Sequence, residues 1–452
     1  VWDAQGPGRR AASQVDGTAH VLVSGKAWVK HMVAGSITDG NNWQDMSCVG
    51  GTDIVVKDDA KVASVFGAGY DTWANPTNVS MMGESTTINV KIMGGTVGYV
   101  YGGGYRGTVG TPGSPIGSIT ISITGGTILG DVFGGGRGGL DKIIHTADGE
   151  FKNGSGYTNS TGSSVVYAEK VSVTVSGNAV VNGNVYGGGE STPVITGYQS
   201  MSPNNSPTGV AMVVCDSISV SISDTASVNG DVYGAGKGID VNDTTGGIHS
   251  SAYIFSIKMT NDVWGIERIP WINDSDVILT TDSNFNYSDY AHLKSTSASV
   301  HVSSNVLGSV YGAGAYGQAT INQNLFVTVS GTVEGNVHGG ALGSSEGSEI
   351  NDKPMVSGTR YVTVVGEADV GGSVYGGSRN ASATGDNHVL LISGRIEGNA
   401  FGGPFMGSLN GNSHVYVGDY AYDLALDLGI IQEGCYEDLL KIEMTVGIGI
   451  YG

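Results

Sequence analysis

The sequence predicts a parallel β-solenoid, and three observations carry that prediction. A six-residue phrase, Gly-(Asn/Asp/Ser)-Val-aromatic-Gly-(Gly/Ala), recurs nine times. A short run of alternating apolar residues precedes eight of the nine. Glycine fills 76 of 452 positions and proline only 10, so glycine is at more than twice its usual share of about 7%.

The phrase is best described by its ring position, which holds Phe66, Tyr101, Phe133, Tyr186, Tyr233, Tyr311, His338, Tyr375 and Phe401. Valine precedes the ring in eight copies and Ala400 in the ninth, and glycine follows it in all nine. Glycine also stands three residues before the ring, except at Ala63. Such regularity marks a repeat array and is read before any division into domains.

The alternating runs are Ile88, Val90, Ile92; Ile119, Ile121, Ile123; Val171, Val173, Val175; and Ile218, Val220, Ile222. Shorter ones are Val300 and Val302, Val327 and Val329, Val362 and Val364, and Leu390 and Ile392. Period-two alternation with serine and threonine between is the pattern of a half-buried strand. Each run ends 9 to 11 residues before its ring. The unit is therefore a strand, a tight turn, a short strand ending in the ring, and a glycine turn.

Ring-to-ring spacings are 35, 32, 53, 47, 78, 27, 37 and 26 residues. A unit of 26 residues cannot bury its apolar face alone, whereas stacked units bury a continuous core and pair each other's backbone. The excess length falls between the glycine turn and the next strand, which places insertions on one face of the rod. Glycine is expected to supply positive-φ corners, and the rings are expected to stack along the axis. A β-propeller blade needs about 40–45 residues and four strands, which the shortest spacings do not provide. Ten to fifteen coils at about 4.8 Å each make a rod of order 50–70 Å.

The array divides the chain into three. Residues 1–62 read as degenerate repeats or a cap, 63–418 as the array, and 419–452 as a C-terminal cap or subunit-joining strand. Within 419–440 the acidic, Leu-rich composition predicts a short helix. The final run alternates around Ile442, Met444, Val446, Ile448 and Ile450, and reads as a last strand closing its own solenoid or joining a neighbouring subunit. The longest insertion, 239–296, is rich in aromatics. Its Trp264, Trp271, Tyr287 and Tyr290 are candidates for a small satellite core, an interface or a sugar-stacking platform.

Several chemistries find little support. The net charge of −20 disfavours nucleic acid, which needs clustered Lys and Arg. No 18-residue apolar run predicts a membrane span. Cys48, Cys215 and Cys435 are too few and too scattered for a disulfide framework or a zinc site. The glycine runs recur too regularly to be phosphate loops, and no nucleophile elbow occurs. Asp58-Asp59 reads as a solvated turn rather than a catalytic carboxylate pair. Gly234 to Asp240 matches half of a calcium nonapeptide, and Gly135 to Asp141 is a looser match. Asp231, Asp240 and Asp141 are thus weak calcium candidates, and no other cofactor is expected. Asn-x-Ser/Thr occurs at Asn78, Asn153, Asn159, Asn204, Asn242, Asn273, Asn286 and Asn380, a number that an Asn- and Ser-rich chain reaches by chance. The start at Val1, with no signal-peptide pattern, reads as a processed or mature product.

The strand-turn phrase, clearest in 171–189 and 325–341, resembles glycine-rich repeats of large bacterial surface and adhesin-like proteins, notably of Bacteroidetes-type gut bacteria. The resemblance spans roughly 60–420 and implies an extracellular location and a structural or adhesive role. It carries no catalytic residue with it. The expectation is thus a non-enzymatic structural protein whose partner is itself, as a filament, layer or adhesin. The alternative is a carbohydrate-binding or polysaccharide-cleaving β-helix, as in viral tail fibres, with surface glycans as partners.

Overall fold

The computed structural model describes residues 14–35, 48–69, 86–105, 107–138, 143–145, 151–153, 164–191, 211–238, 253–260, 263–270, 291–343, 354–432 and 443–452. It is a parallel β-solenoid in which 33 strands form one continuous pairing system. An interior coil such as the fifth or sixth has one long strand and two short ones. In the sixth coil these are Ala211–Ile222, Ser227–Val228 and Val232–Tyr233. Following the ring position through the parallel pairings gives eleven coils: Val33, Phe66, Tyr101, Phe133, Tyr186, Tyr233, Tyr311, His338, Tyr375, Phe401 and Tyr451. At about 4.8 Å per coil the rod is about 50 Å long.

The solenoid takes in part of both flanking segments. Gln14–Val23 and Trp28–Val33 make the first coil. Leu409–Asn410, Ser413–Val417, Met444–Val446 and Ile450–Tyr451 make the last. The strands of the final run pair with Gly394–Ile396 and Ala400–Phe401 of their own chain. Ile442 lies outside the described residues.

The core consists of uninterrupted rows. One row runs Val21, Ile54, Val90, Ile121, Val173, Val220, Val300, Val327, Val362, Val389, Val415. Its members from Ile54 to Val389 are 0–1% exposed. A row of β-branched side chains suits the pleated surface, and each buried member is worth about 1.5–3 kcal/mol.

One strand departs from the expected register. Leu390 and Ile392 do not face the core; Val389 and Leu391 do. Both faces of this strand are apolar because a helix, Asp419–Asp427, covers the outer one. Ala421, Tyr422 and Ala425 of that helix pack with Leu390, Ile392, Val365 and Ile431. The helix therefore lies along the flank of the rod rather than over its end.

The ring-following glycines also act differently from expectation. None has a positive φ. They are required because coils approach closely: a Cβ on Gly134 would run into the carbonyl oxygen of Gly187, one coil on, and the same collision recurs at Gly234 with Gly312. Positive φ occurs instead at other corners, among them the one five residues after the ring, at Tyr316, Asn380 and Met406, and the one after the long strand, at Gly25, Asp58, Gly177, Asp224 and Gly366. Asp58 there accepts a hydrogen bond from the Gly25 N–H at 3.0 Å, and Asp224 one from Gly177 at 3.0 Å. The Asp58-Asp59 pair is thus a turn.

Candidate functional site

Beside the ring stack run two rows of polar side chains. Nine successive ring pairs stack, from Phe66–Tyr101 to Phe401–Tyr451, with centroids 4.6–5.1 Å apart and planes within 14°. Tyr233 and Tyr311 meet at 4.9 Å although 78 residues separate them. Parallel pairing imposes this spacing, and offset ring stacks add about 0.5–1.5 kcal/mol each. His338 sits in the stack as a ring, 4.9 Å from Tyr311 and 4.8 Å from Tyr375. It is 1% exposed, and neither ring nitrogen has a hydrogen-bond partner among the described residues. Burial, aided by the nearby Arg379 cation, pushes its pKa down to about 3.

Two residues before each ring runs a second, hydrogen-bonded row. Asp131 Oδ1 accepts from the Asn184 N–H at 2.8 Å, Asn184 Oδ1 from Asp231 at 2.7 Å, and Asp231 Oδ1 from Ser309 at 2.6 Å. Ser309 Oγ accepts from Asn336 at 3.1 Å, Asn336 Oδ1 from Ser373 at 2.8 Å, and Ser373 Oγ from Asn399 at 3.0 Å. The Asn/Asp/Ser choice in the repeat phrase is therefore a requirement for a short acceptor that reaches the next coil's backbone. Asp231 belongs to this row, and its Oδ2 accepts the Tyr233 hydroxyl at 2.9 Å. Its Oδ1 thus serves the contact to the next coil and its Oδ2 the ring of its own coil. Asp240 and Asp141 lie outside the described residues, among which no group of three or more His, Cys, Asp or Glu is placed to hold a metal.

Four residues after each ring runs a third row, paired coil to coil: Tyr105, Arg137, Glu190, Lys237, Ala315, Leu342, Arg379, Phe405. Its charges alternate where they adjoin. Arg137 Nε lies 3.1 Å from Glu190 Oε2, and Lys237 Nζ lies 3.6 Å from Glu190 Oε1 and 3.8 Å from Asp131 Oδ2. The Arg137 and Glu190 side chains are 5% and 3% exposed. Tyr101 donates its hydroxyl to Glu190 Oε2 at 2.6 Å, and burial raises the Tyr101 pKa well above that of an ordinary phenol. Arg137 lies 6.0 and 5.9 Å from the Tyr99 and Tyr101 ring centres. Burial is the largest single influence and opposes its charge, but Glu190 together with Tyr101, Tyr105 and Tyr99 outweighs it and raises the pKa above the usual arginine value. The residues at ring-plus-four stand at a fixed offset in the sequence, but only Arg137, Glu190 and Lys237 among them alternate in sign, and nothing local singles that offset out.

An independent polar centre lies inside the core of coil nine. Arg360 is 0% exposed, in an inward position that Leu325 fills in the coil before. Its Nε donates to Asn387 Oδ1 at 2.6 Å, Nη1 to the carbonyls of Gly358 and Thr384 at 2.8 and 2.9 Å, and Nη2 to that of Gly385 at 2.6 Å. Burial lowers its pKa to about 10. Sequence reading missed this residue because nothing local distinguishes it from a surface arginine.

Of the insertion aromatics, Trp264 falls in Val263–Pro270, which pairs antiparallel with Tyr253–Thr260. Trp271, Tyr287 and Tyr290 lie outside the described residues. A second ring stack appears on the outer face of the long strands. Phe326, Tyr361, His388 and His414 follow one another at 5.3, 4.8 and 5.0 Å.

The remaining feature is the C-terminal end of the rod. In the last coil Val417 is 47%, Ile448 71%, Ile450 46% and Tyr451 51% exposed. Ile450 and Tyr451 occupy the positions that are buried in interior coils.

No known family model, curated protein or solved structure matches this chain.

Proposed function

We propose that the chain is a non-enzymatic structural protein of the cell exterior, a rod-like subunit of a surface filament, layer or adhesin that associates with copies of itself. The observation that carries this reading is the last coil. Its inward rows and its ring are half exposed, so a cross-section of the core opens at that end. An open solenoid end is a row of unpaired strand edges, a template for another chain. Supporting this, the buried Glu190, Arg137 and Lys237 and the partly buried Asp131 are engaged with one another across coils. They act as a clamp between coils rather than as groups turned toward a substrate. The exterior location rests on the resemblance to bacterial surface repeats and on the scarcity of cysteine.

A carbohydrate-binding role would draw on ring faces, but in both stacks the faces are taken up by the neighbouring ring. Negative-stain electron microscopy at neutral pH tests the proposal. Filaments or end-joined rods are expected, and they should be lost when Lys441–Gly452 is removed. Discrete rods of about 50 Å that never associate overturn it. Reducing-end release from a polysaccharide panel would overturn the non-enzymatic part.

A further inference from the structure

The two ends of the rod are finished differently. In the first coil the inward side chains Val23 and Met32 are 9% and 2% exposed, so that end offers no open core. Its strands also carry charge, with Asp16 and His20 on Gln14–Val23 and Lys30 and His31 on Trp28–Val33. Charged side chains on an outermost strand are a means by which natural sheets keep a free edge from pairing.

The last coil has neither protection. Val417 and Ile450 are 47% and 46% exposed, at inward positions that are buried in the middle of the array, and Ile448 is 71% exposed. Leu409–Asn410, Ser413–Val417, Met444–Val446 and Ile450–Tyr451 contain no Asp, Glu, Lys or Arg. The acidic helix does not guard them. It packs on the outer face of the coil before, against Leu390 and Ile392, and its charges lie on the flank. In composition the last coil is an interior coil, yet the single chain stacks nothing on it. The first coil of a second copy is closed and charged, so the matching surface that a second copy offers is its own last coil. Identical ends bring no like charges together, because their strands carry none.

From these observations we infer that two copies join C-terminal end to C-terminal end about a twofold axis that crosses the rod. A twofold reverses strand direction, so the ladder between the copies is antiparallel although the strands of the rod pair parallel. Centred on Ser413–Val417, the longest strand of the last coil, the axis sets Val415 against its own counterpart and His414 against Tyr416 of the second copy. The same axis sets Met444–Val446 of each copy against Ile450–Tyr451 of the other. The inference rests on the self-association reading above and specifies its surface, polarity and limit. A contact between like ends is isologous and closes at two copies, giving a rod of about 105 Å, twenty-two coils at about 4.8 Å.

Cysteine cross-linking of the full chain tests it. His414 and Tyr416 point outward, so His414→Cys and Tyr416→Cys, made as separate proteins, leave the inward rows intact. Cys48 and Cys435 are replaced by serine, and the buried Cys215 is kept. Facing Cα atoms of an antiparallel pair stand about 4.5–5.5 Å apart, within the range of about 4.4–6.8 Å that a disulfide spans. The two proteins mixed and oxidised are expected to give a disulfide-linked dimer and nothing larger, and each alone should stay monomeric on a non-reducing gel. Ile448→Lys alters a side chain that the monomer leaves exposed and puts a charge on both edges. It should raise the dimer dissociation constant about tenfold or more, read by sedimentation.

The outcomes separate. A cross-link between Tyr416→Cys and Leu22→Cys proteins would set the last coil on the first and overturn the polarity, as would rods that lengthen steadily with concentration. A dimer that Ile448→Lys dissociates, but that His414→Cys and Tyr416→Cys do not cross-link, would overturn the strand pairing. End-joined rods that Ile448→Lys leaves intact would bring down the inference and leave self-association standing. Monomers at every concentration would bring down both.

Discussion

At the scale of single residues, His338 is the most informative substitution in the ring stack. It is the one imidazole among ten rings, buried and without a hydrogen-bond partner among the described residues. Its folded pKa lies near 3 against 6.5 in the unfolded chain, through burial first and Arg379 second. Between those values the unfolded chain binds a proton that the folded chain refuses. Stability is therefore untouched above pH 6.5 and falls as pH drops through the window, by about 1.4 kcal/mol per pH unit. His338→Phe removes this term. Denaturant unfolding at pH 7 and pH 4.5 should show wild type losing about 3 kcal/mol more than the variant. Equal losses would mean that the imidazole finds a partner in the folded state. The glycines provide a second contrast. Gly134→Ala drives a Cβ against the Gly187 carbonyl and the Val171 side chain, whereas a Cβ on Gly403 meets nothing within 4 Å. The first should cost about 1–3 kcal/mol or more, as overpacking does, and the second within about 0.5 kcal/mol of nothing. Comparable melting temperatures for the two variants would refute the close-approach account of the repeat glycine.

At the scale of the element, much of each coil was legible because its causes are local. Period-two alternation marks the long strand, and the ring phrase marks the short one, since both patterns follow from which side chains point inward. Three things were not legible. Leu390 and Ile392 looked like a core face because both faces of that strand are apolar, and only the helix packed on it reveals why. Tyr451 was not recognised as a ring-stack member because the helix and the segment after it separate it from Phe401 by 50 residues, although Ile450-Tyr451-Gly452 retains the tail of the phrase. The Asn/Asp/Ser position was noted, but its purpose depends on a backbone N–H one coil away. That purpose makes a prediction. Asn184→Ala leaves the Asp231 N–H without its acceptor and should cost about 1–3 kcal/mol, the cost of a buried donor left unmade. Asn184→Ser keeps a short acceptor of the kind that Ser309 and Ser373 supply in this row and should cost less, which chemical denaturation of the two variants would read directly.

At the scale of the whole molecule, a solenoid is held together by nearest-neighbour interfaces, so stability can differ from one end to the other. The longest interruptions of the chain fall between coils four and seven, with ring spacings of 53, 47 and 78 residues. The clamp of Tyr101, Asp131, Arg137, Glu190 and Lys237 spans coils three to six. It overlaps the region in which successive coils are most distant in sequence and their association closes the longest loops. Glu190 is its centre, bonded to Tyr101 and paired with two cations. Glu190→Gln keeps the shape and an acceptor for Tyr101, but leaves Arg137 and Lys237 without their shared carboxylate. Removing one partner from a buried ion pair costs about 3–5 kcal/mol. Because coupling passes only between neighbours, the cost should appear locally. Native-state hydrogen exchange should speed up in 164–191 and 211–238 while 354–401 keeps its wild-type protection. Equal acceleration along the whole array would instead mean that the eleven coils open as one unit, and that the clamp serves the rod as a whole rather than its most interrupted stretch.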